Sequence, residues 1–259
     1  DKIGSNAFAF SLNGISYFKV VGTLYGPKTF SLFILLILPL PLALLQRTKQ
    51  SLILYTITLI FLLGLLSIVL TLSRWEIIIA FFEVVLTLFL FKKFMSQSLK
   101  KILIKNKVLI LTSLLLIVFS ILNPFIRERF FIINPDDNSL KTRIELFSQA
   151  LNMIQLHPFT GVGGDAFRPY FANYDFTENG LSQRFLAPVH SLYFLMATEI
   201  GLFGVFIFII SMSGAILFFI KRVKTLPENK RVFAIAFSLS SLIFLLDEII
   251  EPHGLQSRV

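Results

Sequence analysis

The sequence predicts an all-α, polytopic helical membrane protein with about six transmembrane helices and a large loop on one side of the bilayer. Three observations predict it. The 259 residues are 55% hydrophobic and 15% charged, with a mean hydropathy of +0.79, whereas soluble domains carry about 25% charge. Several uncharged runs approach or exceed the ~18 residues that indicate a bilayer span. Lysine and arginine gather in every second connection between those runs. The roughly 10-residue alternating segments of a membrane β-barrel are not found in the sequence.

Taken in order, the apolar stretches are Phe30–Leu45, Ser51–Leu72, Ile77–Phe91, Val108–Leu122, Leu192–Ile220 and Val232–Ile250. This gives one membrane domain over residues 1–259. Four transmembrane helices lie in 30–122, an external loop covers 123–190, and two further transmembrane helices lie in 191–250. The chain begins at Asp1 without a Met or signal peptide and ends at Val259 shortly after an apolar run. Both ends look cut, so a fragment of a longer membrane protein is expected.

Orientation follows from the basic residues. Arg47 and Lys49; Lys92, Lys93, Lys100, Lys101, Lys105 and Lys107; and Lys221, Arg222, Lys224, Lys230 and Arg231 occupy alternate connections, with Glu228 the one acid among them. These connections are expected on the cytoplasmic side. In the long loop Arg127, Arg129, Lys141, Arg143, Arg168 and Arg184 are balanced by seven acids, as expected outside. The net charge of +9 therefore reflects topology and contact with anionic membrane lipid, and nucleic acid is not an expected partner. With no cysteine, disulfide and thiolate chemistry are excluded. Three histidines are too few and too widely spaced for a zinc site, so neither metal nor cofactor is expected.

Two spans deviate. Ile77–Phe91 covers only roughly 23 Å at 1.5 Å per residue, short of the ~30 Å hydrocarbon core. A helix starting near Leu72 would put Arg74 about a turn inside the outer boundary, with Trp75 as an interface anchor. Leu192–Ile220 is long and carries Gly201 and Gly204, which fits a tilted or broken helix with His190 near its outer start. Glu83 lies in mid-span, where an acid is costly and invites either a bond to a neighbouring helix or a functional role.

The loop has its own structure. Asn134-Pro-Asp-Asp-Asn-Ser139 is turn chemistry, and Ser139 can cap a helix. Leu140, Ile144, Phe147, Leu151 and Ile154 then recur at helical spacing. This predicts an amphipathic helix lying on the membrane or packed on the bundle, with Arg143 at the edge of its apolar face. It stops near His157-Pro158, and Gly161, Gly163 and Gly164 follow as a tight turn. Phe167, Arg168, Tyr170, Phe171, Tyr174 and Phe176 suit either an interfacial aromatic belt or sugar stacking. The loop ends in Ala187-Pro-Val-His190-Ser-Leu-Tyr, so one imidazole stands at the mouth of a membrane helix with arginines upstream on the same side. A base beside cations at a membrane surface points to chemistry on a lipid-linked phosphate.

Four segments, in order, resemble the O-antigen ligase and O-antigen polymerase superfamily of bacterial membrane glycosyltransferases. Val21-Gly-Thr-Leu-Tyr-Gly26-Pro27 is similar to its Gly-Thr-Phe-Gly-Asn-Pro-Asn segment. Leu70-Thr-Leu-Ser73-Arg74 is similar to its Thr-x-Ser-Arg signature. Arg143 with His157-Pro-Phe-Thr-Gly-Val-Gly163 and Phe167 resembles its Arg…Pro-Leu-x-Gly-Val-Gly…Phe stretch. His190-Ser-Leu-Tyr…Glu199-Ile-Gly-Leu-Phe-Gly204 resembles its His-Asn-x-Tyr…Glu-x-Gly-x-x-Gly motif. Ser191 stands in place of the usual Asn, and Lys28 in place of the second Asn of the early motif.

The resemblance implies a glycosyltransferase in lipopolysaccharide or surface polysaccharide biosynthesis. It would be a multi-pass protein of the bacterial cytoplasmic (inner) membrane, with its site facing the periplasm or cell exterior. The implied donor is an undecaprenyl-diphosphate-linked glycan. The acceptor is lipid A-core for a ligase, or a growing glycan for a polymerase, and the motifs are shared by both. Arg74 and Arg143 correspond to arginines that hold the diphosphate, and His190 to the essential histidine. Glu199, Arg168 and Arg184 are supporting candidates, with Glu199 either orienting His190 or closing a helix break. Arginine forks bind phosphate oxygens and stay charged, so they can do the work of a divalent metal. A neutral imidazole can take the acceptor hydroxyl proton, and a helix N-terminus disfavours the imidazolium. The expected reaction is an inverting, metal-independent single displacement. A polysaccharide flippase or transporter is the competing class; it should show paired repeats and charged residues lining several spans.

Overall fold

The computed structural model describes residues 9–12, 15–18, 26–45, 50–71, 73–94, 138–175, 180 and 189–249. The expected span Val108–Leu122, and Arg127, Arg129, Arg184 and Phe176, lie outside the described residues. The chain forms two compact units. One is built from Asp1–Ile132 with Ile216–Phe244, the other from Ile133–Ala215 with Leu245–Val259.

The described residues are helical apart from one short hairpin, as expected for a helical membrane protein. The hairpin pairs β1 (Ala9–Leu12) antiparallel with β2 (Ile15–Phe18) in the register Ala9↔Phe18 to Leu12↔Ile15. The residues between, Asn13-Gly14, are the strongest two-residue hairpin signal. Helical periodicity reads past so small an element.

In the first unit, α1 (Pro27–Ile37) opens with Gly26 in extended backbone and Pro27 in the first turn. A proline there gives up no intrahelical bond. Pro39 ends α1 because it has no N–H for the Leu35 carbonyl and its ring crowds that turn. The chain turns at Leu38, whose N–H bonds the Leu35 carbonyl at 3.2 Å, and resumes as α2 (Pro39–Leu45). The Leu36 carbonyl beside this break accepts the Ser240 hydroxyl at 2.6 Å. Helix α3 (Ser51–Leu70) is apolar on every side. Its few hydroxyls bond back into their own helix, Thr56 to the Leu52 carbonyl and Ser67 to the Leu63 carbonyl. A hydroxyl facing hydrocarbon is satisfied in that way.

Helix α4 (Arg74–Phe94) follows α3 after a very short turn. Ser73 stands just before its first residue, and its Oγ donates to Glu76 Oε2. Ser-x-x-Glu is a helix-start pairing, and it fixes the first turn of α4 three residues earlier than the apolar run suggests. The helix is thus longer than its apolar run, as a start near Leu72 would make it: its 21 residues rise about 31 Å. Glu76, Ile79, Ala80, Glu83, Thr87 and Phe91 form its buried stripe, and α4 packs on α1, α2 and α3. Thr87 bonds its own helix at the Glu83 carbonyl. Glu83 is buried, and among the described residues neither of its carboxylate oxygens has a hydrogen-bond partner. The expected bond from Glu83 to a neighbouring helix is therefore not found there.

The second unit holds α5 (Asn138–Leu156), the short α6 (Phe167–Phe171) continuing into a 3-10 turn (Ala172–Tyr174), and the first part of α7 (Leu192–Arg222). Helix α8 (Glu228–Asp247) begins in the first unit and ends in the second. Among the described residues, three helices are long and apolar enough to cross a membrane: Pro27–Leu45, Leu52–Leu70 and Leu192–Arg222.

At the far end of α4 from Arg74, Arg231 donates from Nη1 to the Phe94 carbonyl at 2.8 Å. Its Nη2 donates to the carbonyls of Lys224 and Leu226 at 3.2 and 3.0 Å. The end of α4, where one of the expected basic connections begins, thus meets another, 221–231. One guanidinium satisfies the last turn of α4 and the α7–α8 turn together. Arg231→Ala should lower the unfolding free energy of the detergent-solubilised protein by on the order of 2–3 kcal/mol for three charge-assisted bonds, read from its unfolding midpoint. Arg231→Lys should recover less than half of that loss, because an ammonium cannot span carbonyls on two elements.

Candidate functional site

The chemistry-bearing residues are presented by two junctions, one in each unit.

The first junction joins the early Gly-Pro motif to the Thr-x-Ser-Arg motif. Ser31, one turn into α1, is buried; its Oγ bonds the Pro27 carbonyl at 2.6 Å and approaches Thr71 Oγ1 at 3.4 Å. Thr71, also buried, donates to the Ile68 carbonyl at 2.6 Å and closes the end of α3. Ser73 then starts α4. The two motifs thereby meet at one corner of the first unit, and Arg74 is the first residue of α4 there. A helix start near Leu72 is expected from the sequence, and α4 starts two residues later, at Arg74 itself.

The second junction is the break in α7. Gly201 has φ 79° and ψ 171° in the midst of this helix, and the helical bonds across it are replaced by bonds to the glycine-rich loop. Val162 N–H donates to the Thr198 carbonyl at 2.8 Å, Gly163 N–H to the Glu199 carbonyl at 2.9 Å, and Leu202 N–H to the Pro158 carbonyl at 2.8 Å. Backbone passes against backbone at this point, so side chains have no room. A Cβ on Gly201 would meet the Phe159 carbonyl oxygen at 2.1 Å, and one on Gly161 the Glu199 carbonyl carbon at 2.3 Å. Gly161 itself has φ 64°. The Pro-Phe-Thr-Gly-Val-Gly and Glu-x-Gly motifs are therefore two halves of one contact.

Glu199 completes that contact. Its carboxylate is buried and accepts from the Phe167 N–H at 3.2 Å, at the start of α6. Of its two expected roles, closing the helix break is the one this bond serves. Glu199 lies seven residues into α7, about 10 Å of helix rise from the helix start near His190. Arg168 is the second residue of α6 and is half-buried. His157 ends α5 as expected, and its Nε2 lies 2.9 Å from the Tyr174 hydroxyl.

Around this junction Leu146, Ala150, Met153, Phe167, Phe171, Val189 and Leu195 form one core cluster. The packed face of α5 is Leu146, Gln149, Ala150 and Met153. The apolar face read from the sequence is a neighbouring one, and it is largely open: Ile144 is 61% and Leu151 45% exposed. Arg143 is half-buried beside the packed face, on its edge. Phe167 and Phe171 stack in the core at 5.4 Å between centroids, so they serve neither as an interfacial belt nor as sugar platforms. Tyr170 stays exposed.

The same cluster seats His190. Val189 and Ser191 on either side of it are buried, while His190 is half-exposed. Ser191 stands just before α7, and its carbonyl takes the first helical bond from Leu195 at 3.0 Å. His190 is thus held just before the N-terminus of an α-helix. Arg143 and His190 belong to one unit, and Arg74 belongs to the other.

Sequence reasoning missed the end of α8. The Glu248 carbonyl accepts the Leu192 N–H at 3.0 Å, and the Leu245 carbonyl accepts the Tyr193 hydroxyl at 2.7 Å. Asp247 and Glu248 are fully buried there. The available signal was a pair of adjacent acids closing an apolar run.

A protein-family model described as O-antigen ligase matches residues 59–209, more than half of the chain. No curated protein and no solved structure matches it.

Because the loop and the break meet backbone to backbone, Gly201→Ala and Gly161→Ala should each destabilise the protein by on the order of 3 kcal/mol or more, from strain plus a clash with backbone. Gly214→Ala in the same helix, where a Cβ meets nothing within 4 Å, should be neutral or slightly stabilising. Thermal unfolding in detergent, followed by circular dichroism, distinguishes these outcomes.

Proposed function

The chain belongs to the O-antigen ligase family, and on that premise we propose that it transfers a glycan from an undecaprenyl-diphosphate-linked donor to an acceptor hydroxyl. The transfer takes place at the outer face of the bacterial cytoplasmic membrane, in lipopolysaccharide or surface polysaccharide assembly. The observation that carries this reading is the seating of His190: half-exposed between two buried neighbours, at a helix N-terminus, in the same unit as Arg143.

The reaction is an inverting single displacement. The acceptor O–H gives its proton to the neutral imidazole of His190 as its oxygen attacks the anomeric carbon. The bond from that carbon to the diphosphate oxygen breaks on the opposite side, and undecaprenyl diphosphate leaves with the electron pair. Arg143 meets the negative charge that develops on the leaving oxygens with a planar, permanently charged fork. Arg74 is proposed for the same ligand, with Glu199 and Arg168 shaping the loop. A guanidinium needs no metal for this work, so the transfer proceeds in the presence of EDTA.

The test uses the protein in proteoliposomes with undecaprenyl-diphosphate-linked glycan, EDTA and candidate acceptors. One-step transfer to lipid A-core or another acceptor identifies a ligase, and a ladder of lengthening glycans identifies a polymerase of the same superfamily. His190→Ala should lose on the order of 10²–10⁴-fold in rate with unchanged membrane insertion; retained activity overturns the assignment. Arg143→Ala should lose on the order of 10²-fold, with only partial recovery in Arg143→Lys, since the fork is absent. Arg74→Ala and Arg74→Lys, measured in parallel, test whether Arg74 shares that role.

A further inference from the structure

Helix α7 changes character at its break. Before Gly201, Leu192, Leu195, Ala197, Thr198 and Glu199 are buried in the second unit. After it, Leu202, Phe203, Phe206 and Ile207 are exposed, and exposed apolar side chains continue through Phe218 to Ile220. No charged residue occurs between Glu199 and Lys221. All 31 residues of α7 would rise about 46 Å, far more than the ~30 Å hydrocarbon core, whereas residues 202–220 rise about 29 Å and match it. Lys221 and Arg222 close this stretch, as basic residues do at a membrane face. The stretch of α7 that matches the hydrocarbon core therefore starts at the break.

The loop bonded to the break lies at the same level. In it the Phe159 side chain is 75% exposed, although its own carbonyl is pressed against Gly201. Leu156, at the end of α5, is 60% exposed. The backbone that carries Phe159 is bonded to the break, where Ile200, Leu202 and Phe203 are exposed in turn: the Pro158 carbonyl takes the Leu202 N–H and the Phe159 carbonyl faces Gly201. The polar side chains around the loop are turned to other work: the Glu199 carboxylate of α7 to the Phe167 N–H and the His157 ring to Tyr174.

We infer that Phe159 is a lipid anchor. Its ring is seated at the boundary between headgroups and acyl chains, and the Gly201 break marks the depth of that boundary. The occupant is the bilayer because the loop backbone is bonded to α7 at the point where its uncharged, exposed, span-length stretch begins. An aromatic ring at such a boundary fixes the height of what it carries, which here is the loop and the unit behind it.

The chain has no cysteine, so Phe159→Cys and Ile210→Cys can each carry a single environment-sensitive fluorophore without further engineering. The protein is placed in phosphatidylethanolamine–phosphatidylglycerol vesicles containing lipids with a nitroxide either near the headgroup or near the chain end. At position 159 the emission should shift to the blue, be quenched more by the shallow nitroxide than by the deep one, and resist iodide in the water. Position 210 should show the reverse preference, for the deep nitroxide. Iodide quenching at 159 overturns the inference, because the loop then stands clear of the membrane. Blue-shifted emission that neither nitroxide quenches also overturns it, since another part of the protein then covers the ring. Equal depth at 159 and 210 overturns the assignment of the break to the boundary. Phe159→Trp in a Trp75→Phe background, read with brominated lipids, repeats the measurement without a bulky label.

Discussion

A helix that leaves its ideal path must find new partners for the backbone groups it releases, and in this protein that obligation organises the second unit. Gly201 adopts a backbone conformation closed to ordinary residues, and the amide and carbonyls around it turn to the Pro158–Gly163 loop. A buried polar backbone group without a partner costs a few kcal/mol, so the three exchanged bonds tie the loop to the break. The loop in turn places Phe167 at the start of α6, and Glu199 reaches across to the same amide. Phe167 and Phe171 complete the core that seats Val189, and with it the imidazole beside it. The catalytic candidate is thus fixed through packing and backbone bonds that start at a single glycine.

The first unit follows the same rule with different residues. Pro39 breaks the first span, and the Leu36 carbonyl finds the Ser240 hydroxyl. The last turn of α4 finds Arg231, and the end of α3 finds Thr71 and Ser31. Water is absent from the hydrocarbon layer, so every irregularity has to be answered from within the protein. That is why hydroxyls and one guanidinium occur where the helices depart from regularity.

The apolar runs made the spans and the helical class legible, because a stretch without charge long enough to cross a bilayer has few other uses. Gly201 announced the broken helix, and His157-Pro158 the end of α5. The packed face of α5 was not legible: apolar residues cover much of its circumference, and periodicity alone does not say which side meets protein. Ser73-Arg-Trp-Glu76 fixes at Arg74 a helix start that the apolar run alone left open, since the pairing lies outside the hydrophobic pattern. Glu199 was legible as important but not as a partner of Phe167, because that bond joins residues brought together only by the folded loop. The aromatic segment illustrates the same limit, for composition does not separate a core phenylalanine from an interfacial one.

The exchange at the break also has a direction in time. A ribosome delivers the loop before it delivers the helix that the loop completes. When Thr198, Glu199 and Leu202 reach the membrane, the amides and carbonyl they need have already been made, so the gap in the helix is filled by chain that is waiting for it. An arrangement with the loop downstream would expose the broken helix during its insertion. The order of the two motifs along the sequence is therefore itself part of how this protein enters a bilayer.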